Sequence, residues 1–175
     1  MEVQRAIEAR YSLRSYLARP VPDDVLGRIL EAGRISPSAV NHQPWHFIVV
    51  RDPTRRKVLA EGPYAKFLVD SPVVIVGLAD KAKSPKWHVV DTTIALQTMV
   101  LAATSEGLGT CWIGSFSDEA VRSLLKIPDK YAIVAMLTVG YPKEEDDVVT
   151  KPPKVKNRKP LSAITSFEEF GRPKQ

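Results

Sequence analysis

Four apolar runs separated by helix-forming segments predict a three-layer α/β/α sandwich, a central sheet with helices on both faces. Three observations carry that expectation. The runs at residues 45–50, 73–79, 110–114 and 132–139 are rich in apolar side chains, and the second shows no alternation, so it reads as a strand buried on both faces. The segments between them carry helical spacing and helix start signals. The chain has 175 residues and 44% hydrophobic content, enough for one domain with a sizeable core. Strands alternating with helices lean towards a parallel sheet.

The elements follow in order. Residues 2–9 set Val3, Ala6 and Ile7 against Glu2, Arg5 and Glu8 at helical spacing. Pro20-Val21-Pro22-Asp23-Asp24 starts a helix, with proline before the first turn and acids at its positive end. That helix should run to about Arg34 and bury Val25, Leu26, Ile29 and Leu30. A short basic helix spans Thr54 to about Glu61 and is broken by Gly62-Pro63. Asp80 to Trp87 is a polar, lysine-rich loop. The longest helix runs from His88 to Glu106 and closes on Gly107-Leu108-Gly109. Its small residues Ala95, Ala102 and Ala103 permit close approach of another element. Ser117 caps the next helix, with Asp118 and Glu119 in its first turn, and Pro128 lies beyond its end. Gly140-Tyr141-Pro142 closes the last strand.

After Pro142 the character changes. Residues 143–160 are charged, proline-bearing and nearly devoid of apolar side chains, which makes a linker or an arm that needs a partner to order it. Leu161, Ile164, Phe167 and Phe170 then form an apolar stripe that must dock somewhere. The chain therefore reads as one domain over 1–175, with a core at 1–142 and a C-terminal arm at 143–175.

Composition narrows the function classes. No run approaches the roughly 20 apolar residues of a membrane span. Met1 to Arg5 carries no apolar signal region, so the cytoplasm is expected. One cysteine, Cys111, leaves no internal disulfide and no multi-cysteine metal site; it reads as a small buried hydrophobe. His42, His46 and His88 do not make a metal set, because Pro44 interrupts the only close pair. The net charge of +5 is dispersed over several clusters without interleaved aromatics, which speaks against nucleic acid and for a small anionic ligand. No GxGxxG follows a strand and no P-loop is present.

Three stretches carry chemistry. Ser36-Pro37-Ser38-Ala39-Val40-Asn41-His42-Gln43-Pro44-Trp45-His46-Phe47 is a loop stiffened by two prolines that runs into a strand. Ser38, Asn41 and Gln43 offer donors and acceptors together. Such a loop is either an ordinary connection built from Asx and Ser turns or a site for a flat heterocycle with several carbonyls and ring nitrogens. Arg10-Tyr11-Ser12-Leu13-Arg14 is either a solvated basic face or a dianion site, in which two forked guanidinium groups and a hydroxyl meet a terminal phosphate. Thr110-Cys111-Trp112-Ile113-Gly114 ends on a residue without a Cβ, where a backbone amide can come close to a ligand.

Ser-Pro-Ser-x-x-Asn-x-Gln-Pro-Trp resembles the flavin-site signature of the nitroreductase family, the FMN-dependent NAD(P)H oxidoreductases. Arg-x-Ser-x-Arg-x-aromatic near the N-terminus resembles that family's FMN-phosphate motif; Tyr16 stands where the family often has Phe. Gly107 to Gly114 resembles the segment that passes beside flavin N5 and O4. Lys156-Asn157-Arg158-Lys159-Pro160 resembles the basic motif that returns to the phosphate. The resemblance implies an α+β homodimer with a mainly antiparallel central sheet, C-terminal arms exchanged between subunits, and the long helix near the dimer axis. It implies cofactor contacts from Arg10, Tyr11, Ser12 and Arg14, from Pro37, from Ser38, Asn41 and Gln43 of the other subunit, from Ile113 and Gly114, and from Lys156 and Arg158.

The function implied is hydride transfer from NADH or NADPH through flavin N5 to a quinone, nitroaromatic or similar acceptor. The flavin carries that chemistry, so no acid–base residue is required. The family usually has a longer helical insertion where only Asp80 to Trp87 stands here, which implies an open site with broad acceptor choice. The alternative is a flavin carrier or regulatory protein without turnover.

Overall fold

The computed structural model describes residues 1–143 and 158–173. Its sheet contains β1 (Trp45–Val50), β2 (Val73–Asp80), β3 (Gly109–Ile113) and β4 (Tyr131–Gly140) in the order β1-β2-β4-β3, and every pair is antiparallel. This corrects the parallel sheet that the strand–helix alternation favours and agrees with the antiparallel sheet implied by the resemblance. The uninterrupted apolar run of β2 arises because helices cover both faces, not because its neighbours run parallel. All eight of its residues are buried.

The helices are α1 (Val3–Ala9), α2 (Asp23–Arg34), α3 (Pro53–Leu59), α4 (His88–Ser105) and α5 (Asp118–Leu125). Local chemistry accounts for their ends. The Asp52 carboxylate accepts from the Arg55 N–H at 2.8 Å, with Pro53 at the first helical position of α3. Ser117 caps α5 through the Ala120 N–H at 3.2 Å. At the end of α4, Gly107 has φ 76°. Its N–H reaches the Thr104 carbonyl at 3.1 Å and the Leu108 N–H reaches the Ala103 carbonyl at 2.9 Å, the paired bonds of a Schellman motif.

Side chains of β2 alternate between two cores. Val73 and Ile75 face α2 and α4, where Ile29, Leu96 and Met99 pack. Val74, Val76 and Leu78 face the other side, with Leu59 of α3, Leu68 and Val121 of α5. The sheet is thus the middle of three layers. At Gly77 the pairing with β4 shifts by one residue, leaving Val134 without an opposite neighbour. Gly77 also lets α4 approach the sheet closely, since a Cβ there would lie 2.6 Å from Leu96 Cδ1.

Residues 158–173 are exposed along their length. Leu161 (72%), Ile164 (63%) and Phe170 (105%) of the apolar stripe are exposed. The outer face of α4 is apolar as well: Val90 and Ile94 are 45% and 38% exposed.

Candidate functional site

The basic motif near the N-terminus forms an extended strap. α1 ends at Ala9, and Arg10 already has extended dihedrals, φ −63° and ψ 126°. Ser12 bridges Thr110 of β3, and the Leu13 N–H donates to the Thr110 carbonyl at 2.9 Å. Leu13 is fully buried, and packs so closely on Gly109 that any Cβ there would strike it. Tyr16 is the second anchor. Its hydroxyl donates to the Leu13 carbonyl at 2.7 Å and lies 2.6 Å from Thr138 Oγ1 of β4. Burial pushes the Tyr16 phenol far above its ordinary range, so it remains a donor. Along the strap Ser12 and Arg14 are exposed, and Arg10 before them is half-buried. Successive members stand about 6.6 Å apart, within reach of one small dianion for side chains as long as Arg.

Arg14 leads into a cleft of about 460 Å³ lined by Tyr64, Phe67, Cys111, Trp112, Ile113, Gly114 and Ser115. Its guanidinium sits 5.9 Å from the centre of the Phe67 ring. The floor is backbone at Gly114, where a Cβ would meet nothing within 4 Å and would simply occupy the opening. The facing wall is fixed because Gly62 packs on the Ser115 carbonyl, closely enough that no side chain fits between them. Cys111 is buried, and burial pushes its thiol up despite the counteracting Arg14 charge and Ser12 hydroxyl, which disfavours the thiolate. An apolar cleft with a cation at one end and bare backbone on its floor suits a flat, partly apolar ligand carrying an anionic tail. A larger cavity, about 650 Å³, lies beside Arg19, Arg51, Arg56 and Lys143. Two of its cations are already engaged: Arg56 binds the Val69 and Ser71 carbonyls, and Arg51 pairs with Asp23.

The polar loop before β1 is held in an unusual conformation. Val40, Asn41 and Gln43 have φ values of 49°, 57° and 47°, the left-handed region that L-residues seldom adopt. For β-branched Val40 the strain is of order 1–3 kcal/mol. Internal bonds hold the loop: Ser38 Oγ accepts from the Gln43 N–H at 2.9 Å, and Gln43 Nε2 donates to Asn41 Oδ1 at 3.0 Å. Asn41 and Gln43 are exposed, as is Pro37, while Ser38 is half-buried.

The structure groups some of the anticipated residues and separates others. Arg10, Ser12 and Arg14, with Ile113 and Gly114, belong to the β3 edge of the sheet. Tyr11 sits half-buried within the same strap. Ser38, Asn41 and Gln43 precede β1, the opposite edge. Three strand spacings, about 14 Å, separate the two edges. Arg158 is exposed in the arm, and Lys156 lies outside the described residues.

Sequence reasoning missed several side chains. Tyr64 and Phe67 line the cleft, but Gly62-Pro63 signals only a helix break. Asp91 ties the polar loop to α4, but an acid in a first helical turn is also an ordinary helix signal. Among the described residues no three His, Cys, Asp or Glu side chains gather as metal ligands, and no helix is long and apolar enough to cross a membrane.

The family model that matches this chain is the nitroreductase family, over residues 7–66 and 54–141. A Methanothermobacter thermautotrophicus protein with the provisional name NADH dehydrogenase/NAD(P)H nitroreductase is 39% identical over 151 residues, covering 82% of this chain and 79% of its own. The FMN reductase [NAD(P)H] of Bacillus subtilis is 31% identical over 97% of this chain and 74% of its own. The crystal structure of a nitroreductase family protein from Clostridium difficile superposes with a TM-score of 0.86 at 29% identity, covering 97% of this chain and all of the other. The antiparallel four-stranded sheet, the strap on its outer strand and these likenesses lead to one assignment: the chain belongs to the nitroreductase family of oxidoreductases.

Proposed function

We propose that this protein is an FMN-dependent oxidoreductase that takes electrons from NADH or NADPH and passes them to a quinone, nitroaromatic or similar small acceptor, acting as a homodimer. The cleft at Gly114 carries this reading, because it sets bare backbone beside Arg14 and the Arg10/Ser12/Arg14 strap. FMN, when bound, supplies the two-electron chemistry, accepting hydride from the nicotinamide and releasing it to the acceptor. The chain's own residues bind and orient. Arg10, Ser12 and Arg14 neutralise the phosphate, joined by Lys156 and Arg158 from an arm. Ile113 and Gly114 offer backbone to one edge of the ring. Ser38, Asn41 and Gln43 supply the amide and hydroxyl groups for the ring and ribityl oxygens.

The strap and the polar loop lie on opposite sheet edges, an arrangement that suits a site shared between two chains. A second chain that sets its loop against the first chain's strap would complete it, and the exposed apolar residues of α4 and the arm offer the contact area. The loop from Asp80 to Trp87 leaves the site open, which suits acceptors of varied shape.

An absorbance spectrum of the FMN-loaded protein under nitrogen, repeated after NADH and then NADPH, tests the proposal. Bleaching of the flavin band followed by recovery on adding a quinone is the expected result. A protein that takes up FMN but is bleached by neither nucleotide is a carrier, and one that takes up no FMN refutes the site.

A further inference from the structure

Asp91 is the one acid of α4, followed by Thr92 and Thr93. It stands in the first turn of α4 and is only 3% exposed. A carboxylate buried to that degree needs partners for its oxygens. It finds them on two different segments. Oδ1 accepts from the backbone N–H of Ala39 at 3.0 Å, and Oδ2 accepts from the Ser84 hydroxyl at 3.2 Å. The amino end of α4 favours the negative charge further. Ala39 directly precedes Val40 and Asn41, the first two left-handed residues of the polar loop. Ser84 belongs to the loop after β2, and its carbonyl accepts the His88 N–H at 2.8 Å at the start of α4.

We propose that Asp91 is the positioning residue of the flavin-contact loop, clamping residues 38–43 and the 81–87 loop to the start of α4. The inference rests on the functional reading above for the ligand, but the clamp itself is a property of this chain. Left-handed φ at three of four consecutive positions is a conformation that a free loop abandons. The internal bonds of the loop stabilise its turn but do not fix where the turn sits. Asp91 is the buried charge that ties it to the fold, so the angles of Ser38, Asn41 and Gln43 towards a ligand depend on it. Asp91 itself touches no reacting atom.

The test uses Asp91→Ala, Asp91→Asn and Ser84→Ala in the full chain. FMN affinity is measured by fluorescence titration, and backbone hydrogen exchange is followed in segments 36–44 and 132–139 of the same samples. Asp91→Ala should weaken FMN binding by about tenfold or more, the usual consequence of losing a charged hydrogen-bond acceptor. It should speed exchange in 36–44 while 132–139 stays protected. Asp91→Asn should keep affinity within about threefold, because its amide oxygen still accepts from Ala39 and its NH₂ can donate to Ser84 Oγ. If Asp91→Ala does not fold, Ser84→Ala, which removes the Oδ2 bond and leaves the Ala39 bond, should speed exchange in segment 81–87 of the same experiment while 36–44 and 132–139 stay protected, and an equal rise in all three overturns the clamp.

Unchanged FMN binding in Asp91→Ala, or exchange that rises equally in both segments, overturns the proposal: Asp91 is then an ordinary core residue. Wild-type protein that takes up no FMN refutes the functional reading instead, and selective exchange in 36–44 then decides the clamp alone.

Discussion

Glycine and aspartate positions carry the sharpest consequences at the residue scale. Gly114 has no positive φ to protect and open space where its Cβ would go. Gly114→Val should therefore leave stability within about 0.5 kcal/mol, as for a surface substitution. It should nevertheless fill the cleft floor and abolish FMN uptake, read by flavin titration beside a melting curve. A large loss of stability would mean that Gly114 serves the fold. The glycine was legible as a candidate in the sequence because a missing Cβ at the end of a strand is a local fact. The role of Asp91 was not, since its partners Ala39 and Ser84 come from other segments and leave no mark on the residues around it.

Packing and local electrostatics set the predictions for single elements. α4 lies against β2 at Gly77, where an added methyl would meet Leu96 Cδ1 at 2.6 Å and Cδ2 at 3.0 Å. Leu96 is fully buried and has little room to turn. Gly77→Ala should cost about 1–3 kcal/mol, the range for overpacking a dense core, with the midpoint of denaturant unfolding as readout. At the end of β2, burial of Asp80 works against its charged form. The Lys130 ammonium at 3.2 Å and the N–H groups of Ala82 and Lys83 outweigh it and hold the carboxyl below its usual range. A carboxylate depressed on folding contributes stability above its unfolded pKa of about 4 and loses it as pH falls through the lower folded value. Asp80→Asn should flatten the acid limb of a stability–pH profile below about pH 4 and leave its shape near neutrality unchanged.

Helix boundaries were legible because their signals are local: Pro22 before α2, Ser117 at α5 and Gly107 after α4. The Asp52 cap and Pro53 start of α3 were missed, and that helix was expected from Thr54 to about Glu61 rather than over Pro53–Leu59. Strand direction was not. β2 reads as a run buried on both faces under either pairing, and only its partners β1 and β4 decide the direction.

The whole molecule places its two halves of the candidate site on opposite edges of one sheet, and that arrangement makes a prediction about the assembly. A strap variant, Arg14→Glu, and a loop variant, Asn41→Ala with Gln43→Ala, should each be nearly inactive alone. Refolded together, heterodimers would carry one site with both elements intact and one with neither. NAD(P)H oxidation should then return to roughly one quarter of wild type, from half heterodimers with half their sites whole. No recovery on mixing would place both elements of a site in the same chain.

The sequence by itself determined the helices and strands and the residues of the strap, the loop and the strand-end glycine, and the family entered through the resemblance of those stretches to known motifs. These are short-range properties, set by caps, periodicity and residue type within a few positions. Tertiary structure alone decided that the sheet is antiparallel and that strap and loop lie on opposite edges. It also revealed Tyr64 and Phe67 as walls of the cleft and Asp91 as the anchor of a strained loop. Each of those depends on a contact such as Asp91 with Ala39, 52 positions apart. Which distant groups meet follows from how the layers pack, because burying both faces of the sheet at once fixes the position of every element against the others.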